Sequence, residues 1–369
     1  MSLFDDAIID RFAAFAAAVA TELAPLAGGA PVYNLINEIN FLAWAASETN
    51  LLHPYRNERS EGSRRSGYEL KRRLVRAVLA GIEAVRGVDP RARFLHVEPV
   101  VHVVAPLEQP ELAALAEEVK GFQWQAFDMI AGREEPELGG SPEALDLVGV
   151  NHYHSSQWEV GTERRLLWHE RDPRRRCFSG LLHDAWERYR RPLIVAETSH
   201  IGAGRAAWLN DIASEVARAR STGVPVEGLC LYPIVDRHDW NDSSHWHNSG
   251  LWDVAHDGTA GERPLRRVLN SEYAATLAQW QAAFADNEQD RPPMPYLIVF
   301  SHLRWSFVYQ RPQHLLSRLA SDYHVLFIEE PVHCEGEPRL ERVSQGPNID
   351  VLVPRTPVDA GGFHDEQLP

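Results

Sequence analysis

Carboxylate and amide side chains stand where the strand-like runs of this sequence end. Glu38 follows the apolar run "VYNLIN" at 32–37, and Glu197 ends the run "PLIVAE" at 192–197. Two carboxyl groups flanking one bond, one protonated and one ionised, can hydrolyse a glycosidic bond. Further polar residues end other runs: Asn37, Glu98, Asn151, His152, Tyr153, Thr198 and Asp236 through Trp240. Any one of them could be a helix N-cap or a solvated loop residue, but together they favour a catalytic site.

The elements that must position these residues alternate between strands and helices through residue 286. Strand-like runs are predicted at 30–37, 93–104, 144–154, 191–199 and 226–236. Helices are predicted at 4–24, 66–87, 110–132, 178–190, 205–223 and about 264–285. Near-continuous apolar strands between amphipathic helices indicate a parallel sheet covered on its outer face. Five successive strands favour an incomplete (β/α)8 TIM-type barrel, whose active site lies at the carboxyl ends of the strands.

A second α/β pattern follows a polar, proline-bearing segment. The segment "NEQDRPPM" at 287–294 is typical of a linker and divides a domain at 1–286 from one at 295–369. Strands are predicted at 296–303, 324–331 and 348–354, with a helix at 309–323. This pattern predicts a partial Rossmann-like segment, too short for a complete large α/β domain.

Four motifs in the first domain resemble the family 1 glycoside hydrolases, retaining β-glycosidases of the Asn-Glu clan. "INEIN" looks like the end of that family's fourth barrel strand, and "LDLVGVNHYH" looks like its sixth. "PLIVAETS" resembles the seventh strand; "YPIVDRHDW", followed by "SGLWDV", resembles the eighth. The resemblance covers about residues 1–286 and implies an incomplete barrel containing strands four to eight.

The resemblance also implies a role for each matching residue. Glu38 would be the general acid/base, Glu197 the nucleophile, and Tyr153 a hydrogen-bond donor to that nucleophile. Asn37 would hold the sugar 2-hydroxyl, and Asn151 would share the face of its strand with Tyr153. Tyr232, Asp239 and Trp240 would line the glycone pocket. Asp239 stands where the family has Glu, so the sugar preference is not carried over.

The first three barrel strands of the family have no counterpart in this sequence. Five strands cannot close an eight-stranded barrel, and two exposed sheet edges would remain. We therefore expect a truncated reading frame, with pairing to another chain as the alternative. The competing hypothesis for function is an inactive barrel remnant or carbohydrate-binding module in polysaccharide biosynthesis.

The C-terminal segment resembles the start of GT-B-type retaining glycosyltransferases. The resemblance rests mainly on Arg-Pro-Gln-His within "FSHLRWSFVYQRPQHLLSRLA" and covers 295 to about 356. It implies a parent protein in glycan metabolism. The donor-binding half of such an enzyme has no counterpart, so we expect no transferase activity from this chain alone.

Composition excludes several other classes of partner and ligand. A net charge of −15, from 37 Lys and Arg against 52 Asp and Glu, disfavours nucleic acids and anionic membranes. No apolar run is long enough to span a membrane. Three widely spaced cysteines indicate neither a zinc site nor a disulfide framework, and favour the cytoplasm.

Three further patterns are interpreted as parts of loops or turns. The donor-rich stretch "HDWNDSSHWHNSG" at 238–250 fits no metal-binding spacing, and we interpret it as a substrate loop. The basic run "RDPRRRC" at 171–177 is a solvated loop, with anionic-glycan binding as the alternative. "GAGRAA" at 202–207 matches the dinucleotide fingerprint, but polar residues separate it from the preceding strand. We therefore expect neither a metal nor a cofactor.

Overall fold

The computed structural model of the chain forms two compact units, Met1–Ala282 and Ala283–Pro369. The structure describes residues 3–27, 29–53, 67–170, 172–240, 242–255, 266–285, 296–301, 303–306, 311–320, 323–346 and 348–359. The predicted linker at 287–294 lies outside these residues. Among the residues described, no helix has the length and apolar character needed to cross a membrane.

The part of the chain up to Ala285 alternates helices and strands. Its helices are α1 Ala7–Leu23, α2 Ile39–Glu48, α3 Gly67–Val88, α4 Ala113–Gly121, α5 Gln125–Ile130, α6 Phe178–Tyr189, α7 Arg205–Ser221 and α8 Ser271–Ala285. Its strands are β1 Val32–Tyr33, β2 Arg93–Pro99, β3 His102–Val104, β4 Leu147–Asn151, β5 Gln157–Glu159, β6 Leu193–Thr198, β7 Val226–Leu231, β8 Trp252–Ala255 and β9 Arg266–Leu269.

Five of these strands form one sheet in the order β1-β2-β4-β6-β7, with every neighbouring pair parallel. The predicted parallel sheet is therefore confirmed. Every residue of the central strand β4 is buried, as expected for a strand covered on both faces. Since the strands run in one direction, their carboxyl ends meet at one edge of the sheet. Within the described chain, β1 and β7 are the outermost strands of this sheet.

One hydrophobic core lies between the start of the sheet and the helices α1, α2, α3 and α5. The face of α3 that packs into it repeats at helical spacing through Leu70, Leu74, Val78, Ile82 and Val85, each at most 3% exposed. Burying a side chain of this size contributes about 1.5–3 kcal/mol. Phe94 of β2 joins the same cluster and couples α3 to the sheet.

Several predicted elements are wrong in extent; the strand predicted at 30–37, for example, is only Val32–Tyr33. The run at 93–104 is not one strand: it breaks after Pro99, where the Val100 amide bonds to Asn151 O at 2.9 Å, and β3 then pairs with β5 in a separate sheet. The final helix does not begin near 264, because β9 pairs antiparallel with β8 and α8 begins only at Ser271. The sequence analysis also missed α2, which follows Glu38 directly.

The second unit contains β10 Tyr296–Ser301, α9 Arg311–Leu319, β11 His324–Glu329, β12 Val332–His333, β13 Arg339–Gly346 and β14 Ile349–Thr356. Its sheet has the order β10-β11-β14-β12, and β13 pairs antiparallel with β14. The sequence analysis missed β13 because its apolar residues are exposed, Leu340 by 59% and Val343 by 46%, so the strand lacks a buried face. Trp305 and Phe327 lie in the core of this unit.

The close packing of β2 on β4 predicts different effects of alanine at two strand glycines. A Cβ on Gly149 would lie 2.5 Å from Val97 Cγ2 and 3.1 Å from His96 O, whereas a Cβ on Gly228 of β7 would meet only Ile194 Cγ2, at 3.7 Å. Gly149→Ala should lower the free energy of unfolding by about 1–3 kcal/mol. Gly228→Ala should change it by less than about 1 kcal/mol. Urea unfolding of both variants measures the difference, and equal losses would contradict the packing described.

Candidate active site

Glu38 occupies a left-handed backbone position at the junction of strand and helix. It has φ 53° and ψ 58° and precedes the first residue of α2. Its amide donates to Val97 O of β2 at 2.9 Å, and its carbonyl accepts from Leu42 N at 2.8 Å, starting the helix. A non-glycine residue in this region costs about 1–3 kcal/mol and persists where surrounding contacts determine it, often at functional sites.

Glu197 lies near the end of β6, opposite Asn151 of β4 in the strand register. Both of its carboxylate oxygens accept a hydrogen bond. Tyr153 Oη donates to Oε2 at 2.6 Å, and Asn37 Nδ2 donates to Oε1 at 2.9 Å. These two donors fix the orientation of a charged group, which can accept both bonds without a proton of its own.

The carboxyl group of Glu38 has a different environment. Asn151 Nδ2 donates to Glu38 Oε1 at 2.7 Å. Burial raises the pKa of Glu38 from 4.5 to about 7; the Asn151 bond opposes this rise, and the negative charge of Glu197 adds to it. A carboxyl group with this pKa can hold a proton near neutrality and release it during a reaction.

Tyr153 is held in its protonated, donating form. Burial raises its pKa, and the hydrogen bond to Glu197 and the charges of Glu197, Glu38 and Tyr232 raise it further. The structure thus brings five predicted site residues together: Asn37, Glu38, Asn151, Tyr153 and Glu197. The arrangement supplies one carboxyl group that can carry a proton and one that is oriented by two donors, the combination that acid-assisted nucleophilic displacement requires.

The three predicted pocket residues after β7 are placed differently from one another. Tyr232 is 37% exposed and close enough to Tyr153 to influence its pKa. The guanidinium of Arg237 lies 6.0 Å from the ring centre of Tyr232 and 5.4 Å from that of Trp240, so the three side chains form one platform. Trp240 is 70% exposed. The Asp239 amide donates to His245 O at 2.8 Å, which ties this residue to its own loop.

Other polar residues at the strand ends support the fold. His152 points away from the two carboxyl groups, since its ring stacks on Phe178 at 4.6 Å and its Nδ1 donates to Val100 O at 2.8 Å. Thr198 accepts from Trp208 Nε1 at 2.9 Å. Asp236 accepts the amides of Asn248 and Ser249, each at 3.0 Å, and so closes the loop after β7.

Sequence reasoning missed the group of residues behind Glu38. Glu98, which the sequence places among the polar residues at the strand ends, is only 2% exposed and accepts a hydrogen bond from the amide of Asn40. Lys71, 8% exposed, lies nearby on α3. The signal that could have revealed this group is the position of Lys71 beside Leu70 and one turn before Leu74 and Val75, on the buried side of α3.

The histidine-rich loop has contacts of an ordinary folded loop. The ring of His238 lies 4.1 Å from that of Trp246, and His247 contacts Ser249 Oγ at 2.9 Å. In the described portion of the chain, no group of three or more His, Cys, Asp or Glu side chains is placed to hold a metal ion.

Comparison with known proteins gives matches only among solved structures. No protein-family model matches the chain, and no curated protein matches it. A hyperthermophilic β-glucosidase mutant aligns with a TM-score of 0.57 at 18% identity, over 74% of this chain and 61% of that one. The β-glycosidase of Thermosphaera aggregans aligns with a TM-score of 0.58 at 17% identity, over 76% and 60%. The Thermotoga maritima β-glucosidase, in complex with glucoimidazole, aligns with a TM-score of 0.56 at 15% identity, over 74% and 69%.

These likenesses show the fold. The chain has an α/β fold whose curled parallel sheet is like part of the TIM barrel of β-glucosidases. It spans about three fifths of the length of the first two structures named, 61% and 60%.

The raised pKa of Glu38 predicts a pH-dependent cost to stability. From pH 4.5 to about 7 the folded protein holds a proton that the unfolded chain has lost, so this residue lowers the free energy of unfolding as the pH rises. After allowance for partial contact with water, the effect is about 2 kcal/mol. The free energy of unfolding of Glu38→Gln should therefore exceed that of the original chain by an amount that grows with pH over this interval and reaches about 2 kcal/mol near pH 7.

Urea unfolding at several pH values tests this prediction. Glu83→Gln, on the exposed side of α3, is the matched control and should show no such gain. A stability difference between Glu38→Gln and the original chain that is constant with pH would contradict a raised pKa.

Proposed function

We propose that this chain is a β-glycosidase-like module that hydrolyses O-glycosidic bonds by a retaining, double-displacement mechanism. The observation that carries the proposal is the contrast between Glu38 and Glu197. Glu38 has a pKa of about 7 in a half-buried site, whereas Glu197 receives hydrogen bonds on both oxygens. The structural likeness to β-glucosidases supports the same reading.

In the first step, an oxygen of Glu197 attacks the anomeric carbon and displaces the leaving-group oxygen, while Glu38 transfers its proton to that oxygen. In the second step, the ionised Glu38 removes a proton from water, and the water oxygen attacks the anomeric carbon and releases Glu197. Charge and protons balance over the two steps, and Glu38 ends protonated again. Tyr153 and Asn37 keep Glu197 oriented in each step, and Asn37 would also reach the sugar 2-hydroxyl.

The sugar would lie above the carboxyl groups, against the residues after β7. Tyr232 and Trp240 offer ring faces to the apolar face of a sugar, and Asp239 would accept its outer hydroxyl groups. Asn151 contributes by orienting Glu38. The proposed substrate class is a β-linked glycoside.

A second candidate function is favoured by the open edges of the five-stranded sheet. Within the described residues, β1 and β7 are its outermost strands, whereas a barrel would pair them further. A carbohydrate-binding remnant, or a module completed by another chain, would keep the sugar contacts without turnover. The C-terminal unit, as the beginning of a GT-B-type glycosyltransferase, would place either function in glycan metabolism.

Covalent trapping distinguishes hydrolysis from binding alone. A 2-deoxy-2-fluoro-β-glucoside with a dinitrophenyl leaving group should label Glu197, because the fluorine slows both steps while the good leaving group speeds only the first, so the covalent intermediate accumulates. Peptide mass spectrometry would locate the sugar, and Glu197→Gln is the control that should remain unlabelled. Saturable sugar binding without labelling would favour the noncatalytic alternative, and labelling of another residue would contradict the assigned nucleophile.

The proton donated by Glu38 predicts a dependence on the leaving group. Glu38→Gln should slow hydrolysis of aryl glucosides with poor leaving groups by about 10²–10⁴-fold, because general acid catalysis supplies that much. Dinitrophenolate leaves without needing a proton, so the rate of the glycosylation step with dinitrophenyl glucoside should fall far less. Measuring kcat/KM for a series of aryl glucosides checks this, and an equal loss for all of them would exclude Glu38 as the acid.

A further inference from the structure

A cavity of about 540 Å³ lies between α6, α7 and the chain that leads into α6. A volume of this order is typical of small-molecule sites. The cavity is separate from the candidate active site: the ring of His152 stacks on Phe178 of α6, whereas the next residue, Tyr153, donates to Glu197. The rings and apolar side chains of its wall belong to His152, Trp168, Phe178, Trp208 and Ile212.

One buried polar atom in this wall lacks a hydrogen-bond partner. His152 is 1% exposed, and its Nε2 makes no hydrogen bond within the described residues. Its Nδ1 lies 2.8 Å from Val100 O, which can only accept, so Nδ1 carries the proton and Nε2 is an acceptor. Burial lowers the pKa of His152 to about 4; the Val100 bond opposes this, and the charge of Arg175 adds to it. The ring is therefore neutral near pH 7, and an occupant that donates a hydrogen bond would satisfy Nε2.

Several other polar groups of the wall are already bonded within the protein. The indole nitrogens of Trp168 and Trp208 each donate to a neighbouring side chain, at 3.1 and 2.9 Å. The side-chain amide of Gln157 bonds through both its nitrogen and its oxygen to the backbone of Arg176, at 2.9 Å each. The two indoles therefore offer apolar ring surface to an occupant, and Gln157 holds the wall in place.

The charged groups of the wall leave one of each sign for an occupant. Arg176 forms an ion pair with a carboxylate of α6, and Glu215 accepts a hydroxyl of the first turn of α6, at 2.6 Å each. Arg175 donates to Leu166 O, which uses one of its five N–H groups. Partial burial and Glu215 raise the pKa of the exposed Asp211, while Arg175 opposes the rise. Arg175 and Asp211 are thus close to each other and opposite in charge.

These three groups select for hydroxyl groups. The occupant must donate to His152 Nε2 and to Asp211, and must accept from Arg175. A hydroxyl group can do both, whereas a carboxylate or phosphate anion has no proton for Nε2 and is repelled by Asp211. The opposite charges of Arg175 and Asp211 give the cavity no net attraction for an ion. The rings of Trp168 and Phe178 can pack against the C–H groups of a sugar.

We propose that this cavity binds one neutral monosaccharide unit, with its hydroxyl groups bonded to His152, Arg175 and Asp211. Binding here does not depend on the proposed hydrolysis at Glu38 and Glu197. It would hold a glycan at a second point on the chain.

Nitrogen-15 NMR of the histidine side chains, with D-glucose as the probe, tests the proposal. Glucose should give a saturable shift of the His152 Nε2 signal, which is assigned by its absence in His152→Phe. Asp211→Ala, on an exposed part of α7, should raise the Kd for glucose by about 10–100-fold, because a hydrogen bond to a charged group is lost. Asp10→Ala, exposed on α1, is the matched control and should leave the Kd unchanged.

Three outcomes would overturn the proposal. The first is no shift with glucose, which would leave Nε2 to a water molecule. The second is a shift with inorganic phosphate or glycine but not with glucose, since the site would then select ions. The third is a glucose shift that Tyr232→Ala removes and Asp211→Ala leaves unchanged, because glucose would then act from the candidate active site.

Discussion

The parallel register of β4 and β6 is the constraint on which the candidate site depends. It places Asn151 opposite Glu197, and the Asn151 amide then reaches across to Glu38. Tyr153, two residues later, donates to Glu197. Residues separated by more than a hundred positions therefore meet because one short, fully buried strand lies between them. A shift of one residue in that strand would turn both side chains toward the opposite face.

Several features were accessible from sequence because they depend on periodicity or on strand ends. The buried face of α3 repeats every three or four residues, so this helix was predicted within one residue of its true bounds, and β4, apolar from Leu147 to Val150, lies inside the strand predicted at 144–154. The meeting of Glu38 and Glu197 followed from the rule that parallel strands end at one edge, together with motifs in the correct order.

Other features depend on contacts that periodicity does not encode. The left-handed backbone of Glu38 is determined by Val97 and by the start of α2. The sequence of α2, rich in Ile, Ala and Trp, contains no signal for this conformation. β3 leaves the main sheet because the chain turns after Pro99, although its residues are as apolar as those before. β13 was missed since an exposed edge strand has no apolar face to detect.

Two ionisable side chains, Lys71 and Glu98, are buried behind the sheet, and their burial has a free-energy cost. Lys71 and Glu98 are each more than 90% removed from water, and burial lowers the pKa of Lys71 and raises that of Glu98, which favours the neutral form of each. Each group keeps a hydrogen bond: Glu98 accepts the amide of Asn40, and Lys71 Nζ donates to Gln125 Oε1.

At position 38, backbone conformation and side-chain chemistry favour different residues, because φ is positive there while the proposed mechanism needs a carboxyl group. Glycine or asparagine would adopt that backbone with less strain, so directed evolution for heat resistance alone should enrich them there. Libraries selected only for folding would then lose the Glu38 carboxyl group, the general acid of the proposed mechanism, while stability increased. Engineering that aims to keep the proposed hydrolysis would therefore leave position 38 unchanged and seek stability at other positions.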